Sequence, residues 1–101
     1  MHSGTTDPAY PTVEVVITEE LDASSVPRFT ALLNEAADMR PEHLVVDLAQ
    51  CPFIDASAIG MLLDVHRRMW TAGGRLTLRS PGPRVARTLQ LARVEHVLLV
   101  Q

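Results

Sequence analysis

The residues best placed to do chemistry lie in "FIDASAIG", Phe53–Gly60, where the carboxylate of Asp55 precedes the hydroxyl of Ser57 by two positions. A serine so close to an aspartate could be a nucleophile, a phosphoacceptor or simply a residue that opens a helix. A hydrolase would hold the serine in a Gly-x-Ser-x-Gly elbow with a histidine base within reach. "DASAIG" is not that pattern, His43 and His96 bear no fixed relation to it, and a helix would carry His66 roughly three turns away. No two histidines fall at metal-ligand spacing. The triplet "AGG", Ala72–Gly74, is too short to cradle phosphates and suits a helix C-cap. Neither a catalytic residue, a metal nor a cofactor is expected. Cys51, the single cysteine, rules out an internal disulfide, fits a reducing cytoplasm and reads as a buried thiol rather than a redox sensor.

Asp55 and Ser57 need a strand to deliver them and a helix to hold them. The apolar run Leu44–Leu48 supplies the strand, and its near-continuous hydrophobicity predicts a sheet covered by helices on both faces. Within it Asp47 is the odd residue, expected to reach a loop amide or to lie at the strand's end. From Ala56 to Thr71 the spacing predicts a helix, with Ile59, Leu62, Leu63, His66, Met69 and Trp70 on one stripe. Gly73 or Gly74 would end it in left-handed geometry. Asp55 then becomes the helix N-cap, and Ala56 and Ser57 sit in the first turn, where free amides and the helix dipole favour added negative charge. In the plainer reading Ser57 only satisfies a backbone group there.

Elsewhere β-branched Val13–Ile17 reads as a strand, and Ser24–Met39 as a helix capped by Asp22 or Ser24 with Pro27 in its first turn. Strands at Leu76–Leu78 and Val97–Leu99 flank a last helix over "PRVARTLQLARV". Residues 1–11 are small, polar and proline-bearing, a flexible lead-in that could add a short edge strand, and residues 12–101 form one domain. Alternation of strand and helix argues an α/β layer fold with right-handed crossovers. All nine basic residues are arginines, scattered except for Arg67–Arg68, and the net charge is -3, so no basic stripe exists for nucleic acid. No apolar run is long enough to span a membrane or to act as a signal peptide, and a cytoplasmic protein is expected.

The strand leading into "FIDASAIGMLLDVHRRMWTAGGRLTL" resembles the STAS domain of bacterial anti-sigma factor antagonists. Upstream "ITEELDASSVPRFTALL", with Leu21-Asp22 before the helix, and downstream "SPGPRVARTLQLARVEHVL" extend the likeness over roughly residues 13–100. The resemblance implies a four- to five-stranded, mostly parallel sheet with three to four helices, and a partner that is an anti-sigma factor of the GHKL-type serine kinase class. It implies no direct nucleic-acid contact and no membrane insertion, and it is compatible with a homodimer. An alternative within the family is a regulatory or scaffold subunit of a transporter ATPase or a stress-sensing complex. Members typically carry Asp-Ser-Ser/Thr-Gly at the second helix start, and the serine after the aspartate is phosphorylated by the partner. On this sequence that position is Ala56, leaving Ser57 as the one substitute, and the family's glycine is Ala58. Glu19-Glu20 stands where the family has a glycine before Leu-Asp. The implied docking surface comprises Asp22, Ala23 and Ser24, the loop Phe53, Ile54 and Asp55, and an exposed helix start at Ala56, Ser57 and Met61.

Overall fold

Residues 11–101 are described by a computed structural model, in which each run of branched apolar residues becomes a strand and each 3.6-periodic segment a helix. Strand β1 spans Thr12–Val16, β2 His43–Asp47, β3 Arg75–Arg79 and β4 Leu99–Val100; helix α1 spans Val26–Asp38, α2 Ala56–Thr71 and α3 Pro83–Leu91. The sheet is parallel throughout, in the order β1-β2-β3-β4. The expected lead-in, Pro11 apart, lies outside the described residues.

Parallel strands that are neighbours both in sequence and in space, joined by crossovers of one hand, send every connecting helix to the same side. The register pairs Val13 with Leu44 and Leu44 with Leu76, then Val15 with Val46 and Val46 with Leu78. That row meets Phe29 and Leu33 of α1, Leu62 and Val65 of α2 and Val85 and Leu89 of α3 in one core. The expectation that helices cover both faces of β2 is therefore corrected. Its far face carries His43, Val45 and Asp47, and there polar groups join strands: His43 Nε2 lies 2.5 Å from Thr77 Oγ1, and Arg79 bridges Asp47, at 2.9 Å, and Glu14. Val45 is only 5% exposed even on that face, which is why the run reads as continuously apolar. Asp47 meets both expectations, ending β2 and accepting the Ala49 amide at 2.8 Å.

Helix α2 has the predicted bounds, but its buried stripe is Ala58, Ile59, Met61, Leu62, Val65 and Met69. Leu63 and His66 are half-buried and Trp70 is 71% exposed, since a residue directly after Met69 is rotated about 100° off the stripe. Gly73 takes φ 87° to end α2, and Gly74 fills a tight approach, where a Cβ would meet the Pro41 carbonyl oxygen at 2.9 Å. Helix α1 starts at Val26 with Ser25 as N-cap, not at Ser24, and no side chain caps it. Helix α3 stops at Leu91, short of the predicted end, because Arg93 turns left-handed at φ 58°. Val97 and Leu98, expected in β4, instead form a turn in which both amides donate to the Val94 carbonyl, so the apolar run here is a turn that buries only Leu98, followed by a two-residue strand. Among the described residues no helix is long and apolar enough to cross a membrane.

Candidate functional site

Two loops leave the carboxyl ends of β1 and β2, and each contains an apolar residue followed by aspartate: Leu21-Asp22 and Ile54-Asp55. Leu21 and Ile54 are driven into the core, 0% and 1% exposed, and there they form an isolated parallel bridge. The Leu21 amide donates to the Phe53 carbonyl at 2.9 Å and the Asp55 amide to the Leu21 carbonyl at 3.0 Å. Burial of two apolar side chains thus fixes where the next two carboxylates emerge.

Asp55 takes extended backbone geometry, φ -115° and ψ -175°, and caps α2 as the sequence predicts. Its Oδ1 accepts the Ala58 amide at 3.1 Å and the Ser57 hydroxyl at 2.5 Å, while Oδ2 crosses to the other loop and accepts the Ala23 amide at 3.1 Å. One carboxylate therefore clamps the start of α2 to the loop before α1. Asp22 organises the turn before α1 rather than α1 itself: Oδ1 accepts the amides of Ser24 and Ser25 and the Ser24 hydroxyl, at 3.0, 3.1 and 2.7 Å. Ser25, nearly buried, donates its hydroxyl to the Glu20 carbonyl at 2.7 Å.

These donors set the electrostatics. The Ser57 hydroxyl above all, with the Ala58 and Ala23 amides adding to it, holds the Asp55 carboxyl below the usual carboxylate range against burial, which opposes it more than either amide alone supports it. Asp22 is likewise lowered, by the Ser24 hydroxyl and then the Ser25 amide, with the Asp55 charge pulling weakly the other way. Both aspartates are anionic at neutral pH, acceptors with their donors already in place. Burial raises the Cys51 thiol, which donates to the Phe53 carbonyl at 3.4 Å, so it stays protonated beneath the loop.

Of the residues singled out in the sequence, Ala23, Ser24, Ala56 and Ser57 are exposed, and Asp22, Phe53 and Asp55 half-buried. Two are displaced. Ile54 belongs to the buried bridge, and Met61, expected to be exposed, is 5% exposed because it lies on the core stripe beside Ala58, Leu62 and Val65. Ser57 also differs from its plainer reading, since it bonds to a side-chain carboxylate and not to a backbone group. Ala56 offers no polar side-chain atom. Sequence reasoning missed two arginines here. The Arg84 guanidinium, on the first turn of α3, lies 5.1 Å over the Phe53 ring, and Arg28 forms a two-pronged ion pair with Glu19 at 2.7 and 2.9 Å. The signal for Arg84 was topological: it opens the helix after β3, at the same end of the sheet as Asp55. Among the described residues no group of His, Cys, Asp and Glu is arranged to hold a metal.

Comparison with known proteins finds that the family model described as "STAS domain" matches residues 6–101. No curated protein matches the chain in sequence. Among solved structures, a Thermotoga maritima protein described as a candidate anti-sigma factor antagonist superposes with TM-score 0.80 at 18% identity, over 89% of this chain and 78% of that one. The anti-sigma factor antagonist SpoIIAA in its unphosphorylated form gives 0.76 at 23% identity, over 89% and 79% of the two chains. The Bacillus cell fate determinant SpoIIAA in the phosphorylated form gives 0.67 at 22%, over 90% and 83%. At such identities the likeness establishes the shared fold.

Proposed function

We propose a function from one premise: the chain belongs to the STAS domain family. We infer that it is an anti-sigma factor antagonist of the cytoplasm, a protein-binding switch that docks on a GHKL-type serine kinase acting as anti-sigma factor and so frees a sigma factor. The antagonist role borne by the SpoIIAA fold relatives supports this reading. The observation that carries it is the Asp55 clamp, which joins the loop before α1 to the first turn of α2 and leaves Ala23, Ser24, Ala56 and Ser57 exposed around it.

The docking patch is preorganised. Its two aspartates spend their acceptor capacity on local amides and hydroxyls, so a partner meets a fixed backbone shape with little left to order on binding. Its phosphate control is absent, because Ala56 carries no hydroxyl at the position the family phosphorylates. Ser57 is a poor stand-in. It is rotated about 100° from Ala56 around the helix, and its hydroxyl proton is engaged by Asp55. The chain therefore behaves as a permanently binding-competent antagonist.

The test is incubation of wild type, Ala56→Ser and Ser57→Ala with ATP and the cognate kinase, with phosphate mapped by mass spectrometry. Wild type and Ser57→Ala should stay unlabelled and Ala56→Ser should be labelled at residue 56. Label on Ser57 of the wild type would make Ser57 the switch and end the constitutive account. A pull-down that retains a transporter ATPase and no GHKL-type kinase would replace the antagonist reading itself.

A further inference from the structure

Trp70 is the only tryptophan, and the spacing that predicts it on the core stripe fails: it stands 71% exposed. It lines a pocket of about 550 Å³ with His66, Arg75, His96, Val97 and Leu99, a set that shares no residue with the Asp55 patch. That volume is within the roughly 300–1,000 Å³ common for small-molecule sites. The short β4 leaves it open, because it pairs only with Thr77 and Leu78 and so leaves Arg75, at the start of β3, beside the Val94–Leu98 turn. The walls are apolar: Leu99 and Val97 are 51% and 41% exposed, and the His66 and Trp70 rings lie 6.3 Å apart at a 32° tilt.

The lining holds a single charged group, the Arg75 guanidinium. Two imidazoles complete its polar part, and among the described residues neither does a carboxylate line the pocket nor does one pair with Arg75. His66 Nδ1 is shut away from solvent with no hydrogen-bond partner, a cost the fold bears at this spot. We propose that this pocket binds a small organic anion with an apolar body, of the alkyl or aryl carboxylate class. The carboxylate meets Arg75 and His96, and Trp70, Val97 and Leu99 cover the hydrocarbon. A second copy of the chain is a poor occupant, since a two-fold contact would set the Arg75 guanidinium of each copy against the other with no lining acid between them.

Trp70 reports on its own pocket, so its emission can be followed during titration with monomeric dodecanoate, with dodecanol as the uncharged control. A saturable blue shift with dodecanoate and a much weaker response to dodecanol are expected. Arg75→Gln, an exposed substitution, should weaken dodecanoate binding about tenfold or more, and Leu99→Glu should abolish it; circular dichroism checks that both variants fold. If either variant fails to fold, the contrast between the two ligands in wild type remains the test. No saturable response to dodecanoate, or an equal response to dodecanol, would overturn the proposal. So would emission that shifts with protein concentration alone, which would mean that a second copy covers the pocket.

Discussion

The Asp55 carboxylate caps α2 through the Ala58 amide, holds the Ser57 hydroxyl and ties down the Ala23 amide of the neighbouring loop. Its place after an apolar strand and before a helical repeat was enough to read it as an N-cap, because capping is local chemistry. The bond from the Ala23 amide to its Oδ2 spans 32 residues and depends on Leu21 and Ile54 finding each other in the core, which local spacing does not encode. The same limit explains Met61, whose neighbours in sequence suggested the exposed helix start but whose angle on α2 turns it inward. Asp55→Ala removes the cap and the cross-loop clamp together. It should lower the thermal midpoint by about 4–8 °C and weaken partner binding. Ser57→Ala, which leaves both amide bonds in place, should shift the midpoint by much less. Differential scanning calorimetry of the two variants separates these outcomes.

Among the elements, α2 has the bounds its sequence predicts because an N-cap, an unbroken apolar repeat and a Gly-Gly stop agree with one another. β4 begins later than its apolar run predicts, because Leu98 is as buried as a strand residue while its amide closes a turn on Val94. Hydrophobicity records burial, and it does not record which backbone partner an amide finds. Two glycines associated with α2 make the same point in opposite directions. Gly60 lies mid-helix with nothing within 4 Å of a would-be Cβ, so Gly60→Ala should stabilise the fold by about 0.5–1 kcal/mol. At Gly74 a Cβ would meet backbone oxygens of Pro41 and Glu42 at 2.9 and 3.0 Å, so Gly74→Ala should destabilise it markedly. Urea denaturation of both variants checks the signs, and equal effects would contradict the packing described.

At the scale of the whole molecule, one face of the sheet is packed by three helices and the other is knitted by polar groups, and this distribution predicts acid sensitivity. Asp22, Asp47 and Asp55 titrate below their ordinary range when folded, Asp47 chiefly through Arg79. Their stabilisation is complete above about pH 5 and is lost as pH falls through the folded values. His43 is also lowered, first by burial and then by Arg75, so below about pH 6.5 the unfolded chain takes up a proton that the folded one resists. In both windows the unfolded state binds more protons. The thermal midpoint should therefore fall in two stages on acidification, and His43→Gln should remove the first. The proposed docking surface for an anti-sigma factor is the patch around Asp55, and calorimetric titration of the cognate GHKL-type kinase against wild type and Ala56→Glu tests that most directly. A carboxylate in the first turn of α2 suits the helix dipole, so the variant should stay folded. Its charge beside Asp55 should nonetheless weaken docking at least about tenfold, whereas an affinity equal to that of wild type would contradict the assignment of this surface.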